Sequence, residues 1–177
     1  EVELTGSLDK LPLSGKTDLL IALPGGRMFV VDYKKSKSKK RRAQMEKGWD
    51  SQTSLYRVML KTGGVKDGMN KDIANAIKAA KDVGVLYYMM NDQTILADTS
   101  QWLGRDMAGV EEMGANISQN AMAQILERIK ELRNGILILN REGDDKEIEK
   151  ETGMTAKYAL DKSPLVQLFM KEEEEPA

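Results

Sequence analysis

The stretch GKTDLLIALPGGRMFVVDYK, residues 15–34, decides the fold. Pro24-Gly25-Gly26 at its middle is a strong hairpin signal. Proline presets φ for the first turn position and glycine tolerates positive φ. Residues 16–23 and 27–34 on either side are rich in Leu, Ile, Val and Phe and read as two strands. Their apolar residues run on more than they alternate, which places them centrally in a sheet covered on both faces. A three-residue loop ending in a left-handed glycine is a common hairpin form. Centred on Gly25, it sets Asp18 and Asp32 at equal distances from the turn, facing each other across the pair. Directly opposed residues in an antiparallel pair have Cβ atoms about 4.5–5.5 Å apart. A two-residue loop would shift the register by one and make the contact diagonal. Lys34, two residues beyond Asp32, projects from the same face.

Two carboxylates at that separation repel when both are ionised, unless a cation lies between them. A divalent ion such as Mg2+ or Mn2+ removes the conflict, since both take oxygen ligands, and the Tyr33 carbonyl could add a third donor. Lys34 would then orient a nucleophilic water or stabilise charge on a phosphate. Lewis acid, nucleophile and charge clamp together are the equipment for phosphodiester hydrolysis. The bland alternative is that Asp18 and Asp32 end strands or pair with Lys16 and Lys34. Each lies within an apolar run, however, where an unpaired charge is costly.

Composition narrows the chemistry further. The chain has no Cys and no His, which removes disulfides, thiolate nucleophiles, iron–sulfur clusters, Ser-His triads and His- or thiolate-held zinc. The lack of cysteine fits a cytoplasmic protein. With 177 residues the chain suits one domain with a sizeable core. It begins at Glu1, already in strand-like sequence, and reads as a piece of something longer. No apolar run is long enough for a membrane span. A formal net charge of −1 hides a concentrated basic run: KKSKSKKRR, residues 34–42, is basic at seven of nine positions. Such a run is usually a solvated loop. Directly after a candidate active-site strand, Lys35, Lys37, Lys39, Lys40, Arg41 and Arg42 also suit phosphate contact with salt-sensitive, sequence-independent affinity.

Around this centre, residues 1–8 read as a further strand. Residues 43–61 carry Met45, Trp49, Gln52, Tyr56 and Met59 at helical spacing, weakened at Gly48 and stopped at Gly63-Gly64. Trp49 and the methionines read as core packing. A short helix over 71–83 and a second hairpin from 84–90 and 94–97 follow. Residues 98–117 are ambiguous. Ser118 reads as the cap of an amphipathic helix over 119–134, with Met122, Ile125, Leu126, Ile129 and Leu132 on one side. A helix near 156–170 and an acidic disordered tail at 171–177 complete the reading. The expectation is an α/β fold: one mixed central sheet flanked by helices, with a helical C-terminal extension. Gly15-Lys16-Thr17 is not the end of a nucleotide-binding P-loop, because Lys10 stands where that motif needs its first Gly.

Asp18 followed at hairpin distance by Asp32-Tyr33-Lys34 resembles the signature of the PD-(D/E)XK nuclease superfamily. An Asp-x-Lys triplet alone occurs by chance in many proteins. Here the fuller pattern GKTDLL, VVDYKK and QTSLY resembles the RecB/AddB-like branch: a Gly-x-x-Asp strand, an Asp-x-Lys strand, then a Gln-x-x-x-Tyr helix. Gln52 and Tyr56, four apart, share one helical face. The resemblance covers residues 1–98 well and the later helices loosely. It implies a restriction-endonuclease-like domain over 1–170, with its core at 1–98 and a helical extension at 118–170. It implies metal ligation by Asp18, Asp32 and the Tyr33 carbonyl, catalysis by Asp18, Asp32 and Lys34, and active-site or DNA contact by Gln52 and Tyr56. It also implies a magnesium- or manganese-dependent deoxyribonuclease, an exonuclease in recombination or repair beside a helicase. The alternatives are a catalytically silent DNA-binding or structural module, and a restriction-like or CRISPR-associated nuclease. Members of the branch usually carry a further ligand, often a His, on a helix before the first strand; no His exists here.

Overall fold

The computed structural model describes residues 1–65, 71–103 and 108–136, together with 146, 147, 149 and 150. It divides into two compact units, Glu1–Asn134 and Gly135–Ala177. In the second unit the four described residues at 146–150 have helical backbone. The helix expected near 156–170 and the acidic tail lie outside the described residues.

Strand β1 (Val2–Leu8) turns tightly into β2 (Leu11–Thr17). Asp9 and Lys10 form the turn, with φ of 47° and 66°. Two successive positive φ values match the right-handed twist of the strands they join. The β2 segment is a strand that the sequence does not announce. Its Pro12, Ser14 and Lys16 are exposed, the composition of an edge strand, where proline is tolerated. After one bent residue, Asp18, the chain continues as β3 (Leu19–Leu23) and returns as β4 (Arg27–Lys34). The register is Leu23 to Arg27, Ile21 to Phe29 and Leu19 to Val31, so the hairpin is centred on Gly25 as expected. Both Gly25 and Gly26 take positive φ, 80° and 74°.

The expected single sheet is two. β1 lies between β2 and the short β5 (Gly64–Val65). The second sheet runs β3-β4-β6-β7-β8, with β6 at Asp82–Met89, β7 at Thr94–Ala97 and β8 at Val110–Glu112. The chain changes sheet at Asp18, and this is why β3 is an edge strand rather than a central one. Its Leu19 and Ala22 are exposed. β4 is central, flanked by antiparallel β3 and parallel β6, and its apolar run is buried on both faces as a strand in that position requires. The hairpin expected from 84–97 is present as antiparallel β6 and β7.

The helix expected over 43–61 is two helices. α1 (Ser38–Glu46) takes in much of the basic run, and α2 (Gln52–Thr62) stops at Gly63. Gly48 adopts φ +71°, its N–H donating to the Met45 carbonyl and that of Trp49 to the Gln44 carbonyl. That is the left-handed termination for which glycine is suited. Trp49 emerges from it 46% exposed, outside the core, whereas Met45 and Met59 are buried as expected. α1 draws its N-terminal partner from far along the chain: the Ser38 N–H and hydroxyl both donate to Asp92 Oδ2 at 2.8 Å. α3 spans Lys71–Ala79, shorter than expected because β6 begins at Asp82. α4 spans Ile117–Arg133. Ser118 is not its cap but a buried residue within it, hydroxyl to hydroxyl with Ser54 at 3.2 Å. Of the five apolar residues expected on one covered face of α4, Leu126 and Leu132 are exposed.

Tyr56, Met59 and Leu60 of α2 pack with Leu4 of β1 and with Met28 and Val30 of β4. α2 thereby bridges the two sheets and brings its first turn to the end of β4. A second cluster, including Met45, Tyr87, Met89 and Ile117, joins α1 and α4 to the five-stranded sheet. The opposite face of that sheet carries Phe29, Val31, Leu86 and Ala97 under Trp102 and Leu103. Among the described residues no helix is long and apolar enough to cross a membrane.

Candidate active site

The bend at Asp18 is held from the residue before it. Thr17 is fully buried, and its hydroxyl donates to the Val31 carbonyl at 2.9 Å, tying the junction of β2 and β3 onto β4. Asp18 lies one step outside the last β3–β4 pair and Asp32 one step beyond it on the other strand. The Asp18 carboxylate accepts the Tyr33 N–H at 2.7 Å. Because a strand residue directs its N–H and C=O to the same side, the Tyr33 carbonyl also faces the edge where Asp18 stands. The Lys34 carbonyl points the other way and accepts the Met90 N–H at 2.9 Å.

Asp32 is 3% exposed. Its Oδ1 accepts from Gln52 Nε2 at 2.8 Å, and its Oδ2 lies 2.5 Å from the Lys34 ammonium. Lys34 also donates to Gln52 Oε1 at 2.8 Å. The three side chains thus close a triangle in which the Gln52 amide satisfies the acid with one end and the base with the other. The Asp32–Lys34 contact is an ion pair without hydrogen-bond alignment, leaving Oδ2 a buried oxygen with no hydrogen-bond donor. Burial pushes the Asp32 carboxyl above the ordinary aspartate range. The adjacent Lys34 ammonium opposes the rise, the like charge of Asp18 adds to it, and the charge of Arg41 lowers it.

Gln52 is fixed in turn by Tyr56, whose hydroxyl accepts a second Gln52 N–H at 2.9 Å. Tyr56 is 8% exposed, so it stands behind the site and orients Gln52; a duplex passing over the surface would not meet it. The ring fits because residue 15 has no side chain: a Cβ there would sit 2.9 Å from the ring's Cε1. Gly15, Asp18, Asp32, Lys34, Gln52 and Tyr56 are therefore one connected structure, assembled from β2, the β2–β3 bend, β4 and α2.

The basic run divides. Lys35, Lys37, Lys39 and Lys40 are exposed. Arg41 turns inward to Asp50 at 2.7 Å and lies over the Tyr87 ring at 4.9 Å. Arg42 pairs with Glu111 of β8 at 2.6 Å. Both guanidiniums are engaged within the chain, unlike the surface contact expected of them. The residues that sequence reasoning missed lie here. Tyr87, fully buried and paired with Asp32 in the β4–β6 register, donates its hydroxyl to Asp50 at 2.7 Å. Burial first, then the charge of Asp50, raises the Tyr87 pKa and keeps it a hydrogen-bond donor. Asp98 of the loop after β7 is buried, accepting from the Val85 N–H at 3.0 Å and pairing with Arg57 at 3.1 Å. No local pattern marks these residues, since each partner is supplied from a distant segment.

A mixed α/β domain with two acids and a lysine gathered at the ends of neighbouring strands has the architecture of a nuclease. The chain belongs to the PD-(D/E)XK nuclease superfamily, whose family model matches residues 1–151. No curated protein and no solved structure matches the chain. Membership makes it a nuclease-type hydrolase, and nucleases of this superfamily generally use divalent metal ions. The donors present fit a hard cation: a buried Asp32 oxygen without a hydrogen-bond donor, the adjacent Asp18 carboxylate and a backbone carbonyl at the same edge. Among the described residues no group of three or more acidic side chains is placed to hold a metal ion, so the carbonyl and water would complete the shell.

Proposed function

We propose that the chain is a Mg2+- or Mn2+-dependent deoxyribonuclease whose centre is Asp18, Asp32 and Lys34. The observation that carries this reading is the closed triangle of Asp32, Lys34 and Gln52 beside Asp18. Asp18, Asp32 and the Tyr33 carbonyl would hold the ion, which when bound supplies Lewis acidity to the phosphodiester. Lys34 faces that point from the helix side of β4. Its ammonium donates to a non-bridging phosphate oxygen and orients the attacking water, giving charge stabilisation where charge develops. Gln52 holds Asp32 and Lys34 in place by bonding to both. Tyr56 fixes the rotamer of Gln52. The exposed Lys35, Lys37, Lys39 and Lys40 hold the flanking backbone phosphates. The RecB/AddB-like resemblance extends the reading to exonuclease action in recombination or repair, in a cytoplasmic setting and in company with a helicase.

The direct test is cleavage of linear single- and double-stranded DNA with magnesium or manganese. Wild-type chain is expected to cut, and Lys34→Ala to abolish cutting while retaining DNA binding. Covalently closed substrates then separate endonuclease from exonuclease action. The scarcity of acidic ligands among the described residues favours one rival, a DNA-binding module without catalysis. A wild-type chain that binds DNA but cuts none of these substrates would establish that rival.

A further inference from the structure

The sheet face opposite Lys34 carries an aromatic platform. Side chains alternate along a strand, so Tyr33 projects away from Asp32 and Lys34, and Tyr88 away from the buried Tyr87. Tyr33 is 45% exposed. Its ring is braced by Tyr88, centroid to centroid at 6.1 Å with planes at 85°. Its backbone N–H is held by Asp18. Leu19 on β3, across from Val31, and Met90, just after β6, are also exposed, at 37% and 46%. Single exposed apolar residues are ordinary, but an exposed aromatic pair at a strand end that leads directly into lysines suits a binding surface. Lys35 and Lys37, both exposed, follow Tyr33 within four residues.

We infer that Tyr33 and Tyr88 form a stacking site for an unpaired nucleobase next to the scissile phosphate. This rests on the nuclease reading and names its substrate: single-stranded or frayed DNA. The two functions of residue 33 point to opposite sides of one strand end, its neighbours Asp32 and Lys34 to the helix face and its ring to the other. Consecutive Cα atoms are only about 3.8 Å apart. A chain whose phosphate lies at Asp32 and Lys34 can therefore bring an adjoining base to the ring only by wrapping the end of the sheet. A base inside a duplex has no free face to offer. Lysines beside aromatic rings are the combination by which proteins hold single strands without reading sequence. The braced ring loses little freedom on binding, since Tyr88 already restricts it.

The test is binding in metal-free buffer with chelator, so that no cutting occurs. The probe is a single-stranded oligonucleotide containing 2-aminopurine, with a blunt duplex of the same sequence alongside. Stacking is expected to quench the fluorophore on the full wild-type chain. Tyr33→Leu and Tyr88→Leu, which keep apolar bulk and remove the π face, should each weaken single-strand binding about 5- to 150-fold. Duplex binding should change little, and Tyr33→Phe should restore the single-strand affinity. Circular dichroism separates a folding failure of Tyr88→Leu from lost stacking, and the exposed Tyr33 carries the test alone if that variant does not fold. Leucine variants that bind single strands like wild type, or that lose both ligands equally, overturn the inference. Binding without metal-dependent cutting would instead defeat the nuclease reading and leave the platform standing.

Discussion

Asp32 is the residue at which stability and chemistry oppose each other. It is buried, close to Asp18, and only partly compensated by Lys34 and Gln52. An aspartate whose folded pKa is raised favours folding fully below its unfolded value, about 3.9. It loses that contribution as pH rises through the folded value. The metal-free wild type should therefore lose thermal stability relative to Asp32→Asn as pH climbs from about 4 toward neutrality. At pH 7 the asparagine variant should melt at the same temperature or higher while being inactive. Added magnesium should raise the melting temperature of the wild type and leave the variant unmoved. A parallel pH dependence of the two proteins would show that Asp32 bears no burial cost. The acids and lysine of this centre were legible in the sequence because hairpin symmetry about Gly25 is a local property. The Arg41–Asp50–Tyr87 set beneath them was not, because a side chain 37 positions away supplies the second hydrogen bond to Asp50.

Among the elements, the segment from β2 to β3 determines most about the site. The sequence shows a strand on each side of Pro24-Gly25-Gly26 and misses the one before, because Pro12, Ser14 and Gly15 resemble loop composition. Its strand character comes from pairing with β1 and from the face it gives to α2, both non-local. The break at Gly48 is local but ambiguous, since glycine inside helical spacing either persists at about 1 kcal/mol or ends the helix. Here the buried Asp50 and the inward turn of Arg41 favour the break. Gly15 tests the β2–α2 contact. Adding a Cβ places it 2.9 Å from the Tyr56 ring and 3.1 Å from Met59 Cε, closer than ordinary contact. Gly15→Ala should cost about 1–3 kcal/mol by overpacking, measured by chemical denaturation. Cleavage should fall too, since Tyr56 fixes Gln52. Pairing the substitution with Tyr56→Leu should recover part of the stability but not the activity, a coupling expected of residues in contact. Additive losses in the double variant would mean that α2 accommodates the methyl by moving as a body.

For the whole molecule, near-neutral net charge is a poor guide because the cations of residues 34–42 have three separate occupations. Lys34 belongs to the acidic centre, Arg41 and Arg42 to ion pairs within the fold (Arg41 with the buried Asp50, Arg42 with the half-exposed Glu111), and Lys35, Lys37, Lys39 and Lys40 to solvent. A basic run looks uniform in sequence, and only the helical placement of α1 sorts it. Removing cations from the two latter groups should therefore give opposite results. Replacing the four lysines by glutamine should leave the melting temperature nearly unchanged, since exposed charges contribute little to stability. It should flatten the dependence of duplex affinity on salt, by up to about 0.9 in log–log slope for each phosphate no longer neutralised. Arg41→Gln should barely alter that slope. It leaves the Asp50 carboxylate, 1% exposed, with the Tyr87 hydroxyl as its remaining described partner, and breaking a buried pair on one side costs about 3–5 kcal/mol. Denaturation curves and salt titrations on the same two proteins measure both quantities. An Arg41 variant that stays stable and binds duplex with a flattened salt dependence would mean that the guanidinium leaves Asp50 to meet the nucleic acid.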